Sequence, residues 1–386
     1  MNYNYDLIIV GGGPAGSTMA LSAHKHGLKV LLLDKEQFPR DKICGDAILV
    51  DCMTILQEFQ LIDKLLQEPH ARTGTYQIFT EHEHLQVCSQ SHELLISKRK
   101  IFDNILFQSA KSCVDTREGA KVENLLIKDG QVFGVQGTYQ TGKSFEYTAK
   151  IVAGADGCGS VVAKKLGLYK FEPQNGAVAT RAYYRNLPVS DNELEFYYFQ
   201  ECLPGYLWIF PVDSETVNVG VGIWGGTYKN KNTSLPALHR QLTQSPLLKK
   251  RFEKAELIGD IQAWYLPLAS VRRTMHGDGF ILAGDAAGLI DPFWGDGIDT
   301  AMISGKIAGE ILAEVCRGSN YSAEVLQKYA DAVWSRLGSR FKFNYLFRQR
   351  FESPPIVFPF LTRLEMFNKF YFQGAGKSKR LAQSLN

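Results

Sequence analysis

The sequence has no two cysteines at C-x-x-C spacing, and no apolar run approaches the ~18 residues of a membrane-spanning helix. The first absence argues against a zinc site, and the second against a transmembrane span. The seven cysteines, Cys44, Cys52, Cys88, Cys113, Cys158, Cys202 and Cys316, are odd in number and scattered, so they do not read as a disulfide framework. That usage fits a reducing intracellular compartment and predicts a cytoplasmic location. No charged leader or long apolar stretch opens the chain, so a cleaved signal is not expected. Net charge is only +3, which gives no basic field for nucleic acid. His82-x-His84 lacks a third metal ligand, and no metal site is expected.

What remains is an ordinary globular balance, 45% hydrophobic and 22% charged. At 386 residues the chain exceeds one compact core and implies two interleaved domains or a large insert. Tyr5 to Val10 reads as a buried parallel strand, Pro14 to His26 as a helix and Lys29 to Asp34 as the next strand. Helices are expected over Asp51–Leu66, Arg99–Cys113, Leu235–Leu248 and Ile298–Val315. A strand is expected over Gly279–Ala283, and mostly β structure from Ala177 to Gly225. From Ser322 the chain reads as helix, broken near Pro354, Pro355 and Pro359.

The first strand–helix junction contains G-x-G-x-x-G at Gly11, Gly13 and Gly16, with Pro14 and Ala15 between. Gly11 permits a tight turn, Gly13 lets backbone approach a pyrophosphate, and Gly16 lets helix pack on strand. The helix start then offers free N–H groups to the phosphates. Asp34, ending the second strand, is placed to accept from ribose hydroxyls.

Two later segments carry a family resemblance. Gly279–Ala287 is a buried strand ending in Gly284-Asp285. It resembles the Gly-Asp signature of the p-hydroxybenzoate hydroxylase-type FAD proteins, which implies that Asp285 binds the ribityl chain. Gly154-Ala155-Asp156-Gly157 resembles the Asp-Gly motif of these proteins, and Arg99 their helix-starting, FAD-contacting arginine. With these, Lys35, Arg40, Cys44, Gly45, Gly295, Gly297 and Ile298 are taken as cofactor contacts. The start of the Ile298 helix can stabilise negative charge on the flavin N1–C2=O edge. Asp296 would oppose that if it pointed inward, and is expected to face solvent or the helix start.

Pro204–Pro211 (PGYLWIFP) resembles the Y-x-W-x-F-P substrate motif of the geranylgeranyl reductases, and Lys42-Ile43-Cys44-Gly45 their K-x-C-G segment. Period-2 geometry puts Tyr206, Trp208 and Phe210 on one strand face, able to wall an apolar pocket; Pro292 is added as a substrate contact. Read singly, each aromatic is better taken as a core residue of the sheet, and it is the whole string that points to a pocket. Cys44 is a candidate reactive group beside the flavin, with a small residue in a tight turn as the bland reading. The related halogenases carry W-x-W-x-I-P and need a relay lysine; Lys98 is the nearest by context.

The resemblance implies an α/β fold. A Rossmann-like FAD-binding domain (1–72, 98–170 and 271–320) is interrupted by a mainly antiparallel β substrate domain (73–97 and 171–270). A basic, aromatic helical C-terminal segment (321–386) follows. The implied activity is an FAD-dependent oxidoreductase reducing C=C bonds of an isoprenoid or other apolar substrate. The alternative is a monooxygenase or halogenase acting on an aromatic substrate through a C4a-hydroperoxyflavin, and a redox-sensing flavin module is a third class. No second glycine-rich cradle is visible, so the reductant is NAD(P)H binding transiently or an electron-donor protein. Ten cations against two acids lie between Arg336 and Asn386, interleaved with aromatics. One reading is peripheral membrane contact; the other packs the aromatics on the FAD domain and leaves the cations solvated.

Overall fold

The structure is a computed structural model describing residues 3–80, 84–88, 94–169, 171–190, 192–225 and 234–350. Strands and helices are numbered in chain order. The apolar run β1 (Tyr5–Val10) lies between two parallel partners, β2 (Val30–Leu33) and β11 (Ser144–Gly154), with Leu7 opposite Val30 and Ile151. The sheet continues from β2 to β8 (Asp115–Arg117) and from β11 to β18 (Phe280–Leu282), then β17 (His276–Gly277). The outer half of β11 turns away to pair with β10 (Gln131–Tyr139), which pairs with β9 (Ala120–Lys128).

Burial of Leu7, Ile8, Ile9, Leu31 and Leu32 explains the absence of polar alternation in these strands. Their covering is helical: α1 (Pro14–Lys25), α4 (Arg99–Lys111), α7 (Ile298–Val315) and α8 (Ala323–Arg350) contribute to the same core. Small residues let α1 and α7 approach closely, with Gly305 lying on the Ala15 carbonyl. The helix expected over 51–66 is in fact two, α2 (Val50–Glu58) and α3 (Ile62–Leu66). Gln60 between them adopts φ +58°, which no helix accommodates. Nearby, β3 (Ala47–Ile48), β7 (Leu94–Ile96) and β4 (Ala71–Thr73) form a small sheet.

The other large sheet has the order β16–β12–β15–β14–β13–β5–β6. These are Glu256–Pro267, Gly176–Arg185, Val217–Trp224, Tyr206–Pro211, Glu193–Tyr197, Thr75–Phe79 and His84–Cys88. All neighbours are antiparallel except β13 and β5. Leu207 and Ile209 face one way and pack with α6 (Leu235–Thr243). That helix stops short of the expected Leu248 because Pro246 follows, and the residue before a proline avoids the helical region. Tyr206, Trp208 and Phe210 face the other way. The short α5 (Val161–Lys165) follows β11. The half-exposed β16 was not foreseen, since its polar residues give no apolar alternation. Prolines 354, 355 and 359, like His82, lie outside the described residues.

Candidate active site

A cavity of about 1060 Å³ opens between the ends of β1 and β2 and the aromatic face of the large antiparallel sheet. At its base the chain leaves β1 through Gly11 at φ +102°, where a Cβ would lie 2.4 Å from the Ala155 carbonyl oxygen. A Cβ at Gly16 would lie 1.8 Å from the Gly11 oxygen, so side chains are excluded from both positions. Helix α1 then begins with no side-chain cap and no acidic residue in its first turn, leaving its N-terminal N–H groups for an anion. A Cβ at Gly13 would meet only Arg40 Nη2, at 3.5 Å, so the approach to the helix is open with a guanidinium beside it.

Asp34 braces this turn. Its Oδ2 accepts from Gly12 N (2.7 Å) and its Oδ1 from Glu36 N (2.8 Å), while burial pushes its carboxyl above the usual range. Asp103, buried on α4, accepts from Arg99 Nε (2.6 Å), Arg99 Nη2 (2.8 Å) and Arg40 Nη1 (2.7 Å). Burial alone would raise that carboxyl, but the two guanidiniums hold it below its ordinary value. One carboxylate therefore orients two cations of the site. Asp285, on the opposite side, accepts no side-chain hydrogen bond among the described residues and is raised by burial against the pull of Lys42 and Arg99. An uncapped helix start, two oriented arginines and a carboxylate free for hydroxyl groups fit a dinucleotide.

The opposite wall is aromatic. Tyr206, Trp208 and Phe210 of β14 line the cavity with Trp224, Leu266, Ile290 and Trp294. The Tyr206 hydroxyl donates to the Trp294 carbonyl at 2.5 Å, joining the sheet to the loop before α7. Trp208 lies against β15, where a Cβ at Gly220 would come within 2.0 Å of its Cζ2. At the rim, the Lys42 ammonium sits 4.4 Å from the Trp264 ring centre, and burial lowers its pKa.

The start of α7 holds a carboxylate cluster. Arg340 of α8 donates to Asp291 (3.2 Å) and to Asp299, and its Nη2 stands 3.7 Å from Asp296. Asp296 meets Asp299 directly, and burial together with that neighbour pushes its carboxyl well above the usual range. That shift favours the neutral form and so weakens a second negative charge against the helix start.

Of the residues singled out from the sequence, Gly11, Gly13, Pro14, Ala15, Asp34, Lys35, Arg40, Cys44, Gly45, Arg99, Asp156, Asp285, Gly295, Gly297 and Ile298 line this one cavity with the β14 aromatics. Gly16 and Gly284 lie behind it as packing positions. Pro292 is buried away from it, its carbonyl accepting from Arg348 of α8. Asp156 lines the cavity, yet its Oδ2 caps α5 by accepting from Val161 N (2.6 Å). Cys44 sits beside Arg99, and burial raises its thiol above the ordinary range against that guanidinium. Lys98 does not reach the cavity; its ammonium binds Asp213 (2.7 Å) and Thr216 (3.1 Å).

Residues 4–333 match the FAD binding domain family. The chain is 32% identical over 357 residues to a digeranylgeranylglycerophospholipid reductase of Methanococcus vannielii, spanning 89% of this chain and 85% of that protein. The chain belongs to the FAD binding domain family, in its geranylgeranyl reductase branch. It is an FAD-dependent oxidoreductase. In fold it resembles a geranylgeranyl bacteriochlorophyll reductase-like protein of Thermoplasma acidophilum (TM-score 0.78, 23% identity, 90% of this chain and 87% of that one). It resembles a triple mutant of a flavin-dependent brominase equally well (TM-score 0.78, 22% identity, 96% of each chain). At such identities the likeness shows the shared fold alone.

Sequence reasoning missed Lys42, Trp224 and Trp264 as cavity residues, and Asn218 and Gly220, which support the Trp208 indole from β15. The pattern V-N-V-G-V-G-I-W carried a signal. Its alternate positions Asn218, Gly220, Gly222 and Trp224 share a strand face, and glycines in a strand mark the close approach of another group.

Proposed function

We propose that this flavoenzyme reduces carbon–carbon double bonds of an isoprenoid chain. The observation that carries the reading is the merging of an aromatic and aliphatic wall with the dinucleotide residues in one cavity. Its kinship with an enzyme named for reducing a geranylgeranylated phospholipid supports the same class. FAD, when bound and reduced, supplies the hydride. The protein's own part is positional. The α1 start and Arg40 hold the pyrophosphate, and Asp285 accepts from ribityl hydroxyls. The α7 start would face developing negative charge on the flavin, and the raised Asp296 carboxyl opposes it less than an ordinary carboxylate would. Tyr206, Trp208 and Phe210 hold the apolar chain and exclude water.

NAD(P)H binding transiently, or an electron-donor protein, supplies the electrons. Among the described residues no helix is long and apolar enough to cross a membrane. The C-terminal segment is proposed to give peripheral contact with the membrane from which a lipid substrate enters, at a cytoplasmic face. On α8 the aromatics Phe341 and Phe347 are buried, while Phe343 and Leu346 remain exposed. Arg340 and Arg348 are turned inward rather than solvated, which corrects the simpler reading of those cations. Residues 351–386 lie outside the described residues.

The test is anaerobic mixing of photoreduced protein with a geranylgeranylated phospholipid. Flavin should reoxidise as the lipid gains two hydrogens per double bond by mass spectrometry. Unchanged lipid, with bromide or hydroxyl incorporated into an aromatic substrate in air, would establish oxygen chemistry instead.

A further inference from the structure

Between the cofactor side and the aromatic wall lies a buried carboxylate that neither role above uses. Asp46 follows Cys44 and Gly45, is fully buried, and holds φ +65°, a conformation that suits glycine or asparagine better. Its Oδ2 accepts from the Tyr183 hydroxyl (2.7 Å) and from Asn218 Nδ2 (2.7 Å). Asn218 Nδ2 also donates to the Cys44 carbonyl (2.8 Å), and Asn218 Oδ1 accepts from Trp208 Nε1 (2.9 Å). The chain of bonds thus runs from the substrate-side indole, through one amide, to the turn on the cofactor side.

The two ends belong to different halves of the molecule. Tyr183, Trp208 and Asn218 stand on β12, β14 and β15 of the large antiparallel sheet, while Cys44 and Asp46 belong to the loop that follows β2. Gly45, between them, is in van der Waals reach of the wall, since a Cβ there would lie 3.5 Å from Phe210 and 3.7 Å from Trp208 Nε1. Glycine would serve the turn equally, and aspartate tolerates this region better than most side chains. What marks Asp46 is a fully desolvated carboxylate with two donors aimed at one of its oxygens.

We propose that Asp46 is a positioning residue, tying the Cys44–Gly45 turn to Asn218 and Tyr183 and so fixing the angle of Trp208 in the substrate wall. This rests on the reading of the β14 face as the substrate wall. The charged and titratable groups facing Asp46 are Arg99 from α4, Arg181 and Tyr183 from β12, and Cys44 from its own loop. Asp46 Oδ1 is buried without a partner, so the link is carried by the two bonds to Oδ2, which join the turn to both strands.

The experiment compares wild type, Asp46→Gly and Asp46→Asn as FAD-loaded proteins. Glycine relieves the backbone and removes the carboxylate; asparagine keeps both the turn and an acceptor oxygen. Asp46→Gly should retain FAD and thermal stability but raise KM for the isoprenoid substrate at least tenfold, with kcat changed less. Acrylamide quenching of Trp208, taken as the difference from W208F, should rise severalfold. Asp46→Asn should restore both to within threefold of wild type. Asn218→Ala severs the link from the other side and must reproduce the glycine result, so a poorly folding Asp46→Gly does not remove the test. Wild-type KM and wild-type quenching in Asp46→Gly, or in Asn218→Ala, would overturn the proposal. If wild type itself binds no isoprenoid, the substrate reading fails, and the quenching comparison still decides whether Asp46 holds Trp208.

Discussion

The indole of Trp208 lies on the α-carbon of Gly220, its Cζ2 occupying the space 2.0 Å from where a Cβ would stand. Behind that position is the Thr180 carbonyl, 2.3 Å away, so neither neighbour can yield cheaply. Gly220→Ala should therefore cost about 1–3 kcal/mol by overpacking and displace the ring into the cavity. Thermal melting should fall by several degrees and isoprenoid binding should weaken, while FAD stoichiometry by absorbance stays at the wild-type value.

Gly11→Ala acts on the other side of the cavity. The new methyl would face the Ala155 backbone in a left-handed conformation, and backbone cannot rotate away. The protein should purify with FAD content reduced by more than half, and added FAD should not restore the yellow colour. Full loading would show that the turn is not the cofactor's seat.

Arg340 balances Asp291, Asp296 and Asp299 at the start of α7. Arg340→Met leaves buried carboxylates without their cation and should cost about 3–5 kcal/mol in urea unfolding. Adding Asp299→Asn should recover part of that loss. Equal stability of Arg340→Met and wild type would mean the cluster is solvated.

Asp46 gives a pH dependence with a defined sign. Burial raises its carboxyl to about 6, above its unfolded value, although Tyr183 and Asn218 pull the other way. Between pH ~4 and ~6 the native state holds a proton that the unfolded state has released. This group's contribution to stability therefore falls as pH rises through that window and levels above it. Asp46→Asn should flatten that part of the stability profile, measured by urea unfolding across pH. A slope unchanged in the variant would assign it to another group.

The sequence was most legible where one short segment carries its own geometry. The β1–α1 glycine turn, the Gly284-Asp285 strand end and the one-faced aromatics of β14 could be read because turn chemistry and period-2 alternation are local. Lys98 and Pro292 illustrate the limit. Each stands beside a site segment in sequence, but Lys98 is drawn to Asp213 and Pro292 turns toward α8.

By itself, then, the sequence determined the strand–turn–helix cradle, the order of the cofactor motifs and the apolar character of the wall. Only the tertiary structure decided that Asp103 serves two arginines, that Asp296 is set against Asp299 and Arg340 and that Asp46 bridges to Asn218. Each of these depends on charges and donors brought together from segments up to 172 residues apart. Desolvation and hydrogen bonding between such groups exist only once the chain has closed around them, whereas backbone turn preference is present in the unfolded strand of sequence.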